Sequence, residues 1–233
     1  MSFKADIGII GAMDAEVDTL ISAMSERTVE KVGGIEFNTG LIFEKKVVVA
    51  RCGVGKVFAA ICATAMSVKY SPSLIVNTGV GGATDVSLQA NDVVFADKLL
   101  QYDMDTSAVG DPVGMISGIN KIYFESDVRA VNILEEAAKE LSVNCKVGTV
   151  ATGDKFVAAP EEKLMLAKRF GAVACEMEGG AIAQVAYVNS IPFAVVRAIS
   201  DNVFGDASVD FSRFLKTAAE VSAKLTMKLI ARW

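Results

Sequence analysis

VVVARCGVGKVFAAICATAMSVKYSPSLIVNTGVGG, residues 47–82, carries the pattern on which the fold turns. Val47–Ala50 is a short apolar run that reads as a buried strand, and Gly53 and Gly55 end it. Lys56–Lys69 follows with apolar residues at Val57, Phe58, Ile61, Ala65 and Val68, a helix so apolar that burial on most sides is expected. Leu74–Asn77 is a second strand, running into the glycine-rich turn Thr78–Gly82. Strand, helix and strand within about 30 residues form the unit of a parallel sheet.

The same alternation extends both ways. On the N-terminal side, Asp6–Ile10 reads as a buried strand ending at Gly11, and Ala15–Met24 has helical spacing at Val17, Leu20, Ile21 and Met24. On the other side come a strand around Asp92–Ala96, a helix capped by Ser126 and running to about Leu141, and a strand at Lys146–Ala151. Pro160, Glu161 and Glu162 open a helix that Gly171 stops. A strand at Ala172–Cys175, a helix to about Val188, a strand at Phe193–Ile199 and a long helix at Asp210–Ala231 complete the chain. That last helix should bury Phe211, Leu215, Ala218, Val221 and Leu225 and wet Arg213, Lys216, Glu220 and Lys224. With no linker or repeat, one α/β domain spanning 1–233 is expected, its sheet mainly parallel.

Composition removes whole classes of function. The chain of 233 residues is 52% hydrophobic, enough for a sizeable core, yet no run of about 18 apolar residues suggests a membrane span. Its start lacks the pattern of a signal peptide, and its cysteines (Cys52, Cys62, Cys145, Cys175) are scattered, so reduced thiols and a cytoplasmic location are expected. A net charge of −5 without a basic cluster argues against nucleic acid as a partner. There is no histidine, which removes Ser-His-Asp and Cys-His catalysis and leaves acid–base work to Asp, Glu, Lys, Tyr or Cys. No metal or cofactor is expected: catalytic zinc lacks ligands, and the glycine runs at 53–55 and 79–82 fit neither the P-loop nor GxGxxG.

In open α/β sheets ligands sit beyond the carboxyl ends of the strands. Here those ends deliver Glu16, the pair Glu176 and Glu178, and Asp201, along with the glycines of 79–82, which let backbone approach a ligand closely. Glu16 would also suit a helix dipole, and Asp201 a helix cap. Glu176 and Glu178 are harder to read as decoration, because they lie between AVAC and GGAIAQVA, and burying an unpaired charge costs several kcal/mol or more. Arg197, within the strand PFAVVRAIS, is a candidate partner for a carboxylate.

The stretches IGIIGAMDAEV (7–17), CGVGKV (52–57), NTGVGG (77–82), DMDTSAVG (103–110), TGDKFV (152–157), CEMEGGAIA (175–183) and PFAVVRAISD (192–201) together resemble the bacterial methylthioadenosine/S-adenosylhomocysteine nucleosidases, in that family's order and spacing. The resemblance implies a nucleoside phosphorylase-like fold, a mixed central sheet flanked by helices, and a homodimer. It implies hydrolysis of an adenine nucleoside, with Glu16 as the base for water and Asp201 as the acid at adenine N7, Ser200 beside it. Glu178 would hold the ribose hydroxyls over Met177; Glu176 and Arg197 would help hold the water. Phe156 would stack on adenine, and the Val157 backbone would read its edge. Met13 and Val54 would line the ribose or 5′ pocket, with Val80 and Gly81 in the glycine turn. Val109 would reach into the neighbouring subunit's site.

Two positions depart from the pattern: Val80 stands where the family often has serine, and Val109 where an aromatic is common. Any hydrogen bond that serine gave the acid must come from elsewhere. The chemistry parallels two-carboxylate glycoside hydrolysis, and it requires a protonated Asp201 near pH 7, against a reference of about 3.9. Burial and neighbouring carboxylates are expected to favour that proton. The rival readings are a phosphorylase, which Asp14 and Glu16 near the first glycine loop disfavour, a nucleosidase for another adenine nucleoside such as aminodeoxyfutalosine, and a nucleoside-binding regulator without catalysis.

Overall fold

The computed structural model describes residues 3–233. In chain order the elements are β1 (Ile7–Gly11), α1 (Asp14–Ser22), β2 (Ser25–Val32), β3 (Ile35–Ile42), β4 (Lys45–Arg51), α2 (Lys56–Tyr70), β5 (Leu74–Ala83) and β6 (Val93–Gln101). A 3-10 turn at Ser107–Val109 and β7 (Phe124–Glu125) lead to α3 (Val128–Glu140), β8 (Cys145–Thr152), α4 (Pro160–Phe170), β9 (Ala172–Glu176), α5 (Gly179–Val188), β10 (Phe193–Asp201) and α6 (Ala207–Arg232).

All strands belong to one mixed sheet. β5 is its hub. It pairs in parallel with β1 over Leu74–Asn77 and with β10 over Ile75–Gly82, and antiparallel with β9 at Gly82 and Ala83. β10 continues to β6, β6 to β8 and β8 to β9, so five strands close into a ring. From β5 the sheet also extends outward through β1, β4, β3 and β2. After Asn77, β5 has left β1 and has not yet met β9, which opens a crevice between neighbours at a topological switch point.

The apolar runs are continuous because both faces of the sheet are covered. Ile7, Ile9, Val47 and Val49 join a core with Val17 and Leu20 of α1, Leu134 of α3 and Leu225 of α6. Ile10, Val48 and Ala50 face the opposite way, onto Cys62 and Met66 of α2 and Ile182 of α5. α4 packs separately, through Leu166 and Phe170, on Leu100 and Ala151.

Two local readings need correction, and one hairpin went unread. The face of α2 turned to the core is Ala59, Cys62, Ala63 and Met66, whereas Val57 (70% exposed), Phe58, Ile61 and Val68 point outward. The helix is therefore buried on one side only by this chain. The hairpin β2–β3 was not readable from an apolar pattern, since β2 (SERTVEKV) is exposed over nearly all its length. Its signal was the turn: Gly33 and Gly34, both at positive φ (58° and 84°), join Val32 to its partner Ile35. Finally, α3 is capped by Asp127, whose Oδ1 accepts the Ala130 N–H at 2.8 Å, and not by Ser126. Asp127→Ala should cost about 1 kcal/mol and Ser126→Ala far less, as denaturant titration of both variants would establish.

Candidate active site

The crevice beside β5 is a cavity of about 340 Å³ lined by Met13, Glu16, Val54, Val80, Gly81, Phe156, Val157, Glu176, Met177, Glu178, Ser200 and Asp201 among others. That volume lies in the range of small-molecule sites. Nearly every residue proposed from sequence therefore meets at one place, although they come from opposite ends of the chain.

Glu16 sits in the first turn of α1 and is buried. Its Oε2 accepts the N–H groups of Ala12 (2.7 Å) and Met13 (3.0 Å), and its Oε1 accepts that of Val80 (3.0 Å). The capping role and the cavity role thus coexist. The Val80 N–H is free for this because β1 has ended its pairing with β5 by then. Burial pushes the Glu16 carboxyl up, against the opposing pull of Arg197 and the three N–H groups. A Cβ at Gly79 would lie 2.5 Å from Glu16 Oε1, so glycine there gives the carboxylate its place.

Glu178 accepts the Gly55 N–H at 2.7 Å, at the N-terminus of α2, where the dipole favours an anion. Gly55 holds φ 99°, a conformation suited to glycine. Burial, and then the charge of Glu176, push the Glu178 carboxyl up to about 7. Glu176 behaves oppositely. Burial alone would raise it, but the Arg197 guanidinium at 2.5 Å, the Thr152 hydroxyl and the backbone N–H groups of Glu178 (2.9 Å) and Gly179 (2.7 Å) hold it below the usual carboxylate range. Arg197 is 1% exposed and also donates to the Asn77 side chain and to the Val196 carbonyl. It lies beneath the cavity and does not line it, and it meets the cavity only through Glu176, which does.

Asp201 closes β10 and is buried. Its Oδ1 accepts the Ser200 hydroxyl at 2.7 Å, and its Oδ2 accepts the Lys163 ammonium at 2.6 Å. Lys163 comes from α4 and has a fully buried side chain. The expectation that carboxylates crowd this residue is therefore corrected: its charged partner is a cation. These two donors also answer where hydrogen bonds to Asp201 come from when position 80 is valine. A Cβ at Gly82 would lie 2.8 Å from Asp201 Oδ2, a second notch in the same strand.

Phe156 lines the cavity, is 44% exposed and meets Phe211 of α6 edge-on, at a centroid distance of 5.6 Å. Val109 is 83% exposed and outside the cavity of its own chain. Asp14 pairs with exposed Arg51 at 3.2 Å and does not line the cavity. Sequence reading missed Lys163, Asn77, Thr152, Phe211 and the backbone of Gly55. Asn77 stood in the quoted NTGVGG, and its side chain also donates to the Ile10 carbonyl at 2.9 Å.

The phosphorylase superfamily profile matches residues 6–231. The 5′-methylthioadenosine/S-adenosylhomocysteine nucleosidase of Oceanobacillus iheyensis is 37% identical over 97% of this chain and 99% of its own length. That of Shewanella loihica is 37% identical over 96% and 98%. Among solved structures, the Neisseria meningitidis nucleosidase in complex with methylthio-immucillin-A has a TM-score of 0.94 at 30% identity, covering 97% of this chain and 99% of that one. The futalosine hydrolase of Helicobacter pylori has a TM-score of 0.92 at 32% identity, covering 97% of each. The chain belongs to the phosphorylase superfamily and, within it, to the family of 5′-methylthioadenosine/S-adenosylhomocysteine nucleosidases.

Proposed function

We propose that this cavity hydrolyses the N-glycosidic bond of 5′-methylthioadenosine and S-adenosylhomocysteine, releasing adenine and the 5-substituted ribose. The observation that carries the reading is the convergence of Glu16, Glu178 and Asp201 on one cavity. Breaking the bond builds positive charge on the ribosyl ring and negative charge on adenine. Asp201 protonates N7. Glu178 accepts the ribose hydroxyls and steadies the ring's charge, above Met177. Glu16 takes a proton from the water that attacks the opposite face. Glu176, fixed by Arg197, orients that water. Phe156 stacks on adenine against Phe211, and the Val157 backbone reads its edge. Met13 and Val54 line the ribose and 5′ side, Val80 and Gly81 the floor, and Ser200 steadies the acid.

Water, and not phosphate, is the nucleophile. Lys155 is the cavity's basic lining residue, and it pairs with Glu162 at 2.6 Å, while Lys163 and Arg197 are held by Asp201 and Glu176. No cation is left to meet an oxyanion there among the described residues. Adenine release in phosphate-free buffer tests this, and dependence on added phosphate would overturn it. The similarity to a futalosine hydrolase favours including aminodeoxyfutalosine and 5′-deoxyadenosine in that assay. A preference for either would move the reading to another adenine nucleoside.

Glu178 gives a pH dependence of two signs. Its carboxyl stands near 7 in the fold against 4.5 ordinarily, so its share of stability is complete below about 4.5 and lost as pH rises through about 7. Accepting ribose hydroxyls needs the anion, which prevails above about 7. From pH 5 to 8 the thermal midpoint should fall while KM for the nucleoside falls too. Parallel melts and kinetics check both, and a KM that rises with pH would remove Glu178 from the ribose.

A homodimer accounts for the outward apolar face of α2 (Val57, Phe58, Ile61, Val68) and for exposed Val109, which would complete the partner's 5′ pocket. Val57→Glu should then yield monomers in sedimentation. No described helix is long and apolar enough to cross a membrane; a cytoplasmic role in methionine salvage suits the proposed substrates.

A further inference from the structure

We propose that Lys163 supplies, through Asp201, the proton that adenine takes at N7. The inference rests on the nucleosidase reading and deepens it. The geometry poses a problem that the carboxylates alone do not solve. Asp201 is the group placed to protonate the purine, yet it forms an ion pair with the Lys163 ammonium at 2.6 Å, with both side chains buried. As a carboxylate it has no proton to give. The pair as a whole has one, and it resides on Nζ.

Lys163 is the buried lysine among the described residues, and its second partner is the Asn202 carbonyl at 2.7 Å. Burying an ammonium costs several kcal/mol, and an apolar side chain of similar volume would serve packing as well or better. A desolvated ammonium releases a proton readily, which a guanidinium does not. Cys175 on β9 does not compete as a proton source, because burial and the Asp201 charge push its thiol up to about 12 and it stays protonated. Glu176 on the same strand is committed to Arg197.

The step balances. An Nζ–H bond of Lys163 breaks and an O–H bond forms on Asp201, leaving a neutral amine and a neutral acid. The acid then turns its O–H to N7. That bond breaks, N7–H forms, and the electron pair of the C1′–N9 bond moves into the purine, which leaves as neutral adenine. Meanwhile the oxygen of water bonds to C1′ and Glu16 takes its proton. Lys163 loses one proton and Glu16 gains one, so the protein's charge is the same before and after. Exchange with solvent resets both groups. Lys163 acts through Asp201 and also positions it, by tying α4 to the end of β10.

The test compares two leaving groups on Lys163→Met and Lys163→Arg. One substrate is 5′-methylthioadenosine. The other is 4-nitrophenyl 5-methylthioriboside, whose nitrophenolate departs without protonation. In both variants adenine release should fall by about 10²–10⁴-fold, while nitrophenolate release changes far less. The ratio of the two rates, taken on one preparation, does not depend on how much of it is folded. An unchanged ratio in Lys163→Met would overturn the proposal. So would a wild-type ratio in Lys163→Arg, which keeps the cation but cannot give up the proton, and that variant decides alone if the methionine one does not fold. Wild-type enzyme that releases no adenine would instead overturn the nucleosidase reading.

Discussion

Asp201→Asn is expected to lower kcat for adenine release by about 10²–10⁴-fold, the usual contribution of a positioned acid, while the nucleoside still binds. Asparagine keeps the shape of the side chain, and its Oδ1 can still accept from Ser200 or from Lys163, which now stand at 2.7 and 2.6 Å from the carboxylate. It cannot carry a proton from Lys163 to N7. Without its anion the buried ammonium is under-compensated, so some stability should be lost as well. Turnover must therefore be expressed per folded enzyme, with calorimetric binding of a nucleoside analogue as the companion measurement. A variant that turns over at near wild-type rate would remove Asp201 from the acid's role.

Glu176→Gln should have the largest effect on stability. The substitution keeps volume but leaves Arg197 buried beside a neutral amide, and breaking one side of a buried pair costs about 3–5 kcal/mol. For a chain of this size each kcal/mol is worth about 2–4 °C, so a midpoint lowered by roughly ten degrees is expected. Arg197 would keep Asn77 and the Val196 carbonyl but no anion at 2.5 Å. Activity should fall with it, because Glu176 also receives the N–H groups that start α5 and so places Glu178. An unchanged melting curve would mean that Glu178 or another anion shifts to take its place.

Much of the site was legible because each carboxylate follows a strand that reads as apolar, and strand ends converge. Glu16, Glu176, Glu178 and Asp201 share that signature, and it needs no knowledge of pairing. Lys163 has no such mark. In PEEKLML it reads as one more charge on the wet side of a short helix, and helical spacing does not say that this face meets the end of β10. The ring closed by β5, β10, β6, β8 and β9 was equally out of reach, since its closure lies in pairs such as Gly82 with Cys175, far apart along the chain. The glycines of 79–82 were read as room for a ligand. Gly79 and Gly82 make room for Glu16 and Asp201 themselves, a distinction visible only once the carboxylates are placed. α2 was read as buried because its apolarity is real, and its outward half is what a second chain would have to cover.

Ring closure leaves β2 as the sheet's long free border, and that border is unfit for strand addition. It presents Glu26, Arg27, Glu30 and Lys31 to solvent, Glu26 turns to φ 51°, and the pairing with β3 slips between Ser25 and Thr28. Charges and a bulge are the devices by which open borders are kept from recruiting foreign backbone. A strand from another copy would meet charges and a kink along this border in place of an open ladder, which guards the sheet against end-to-end extension.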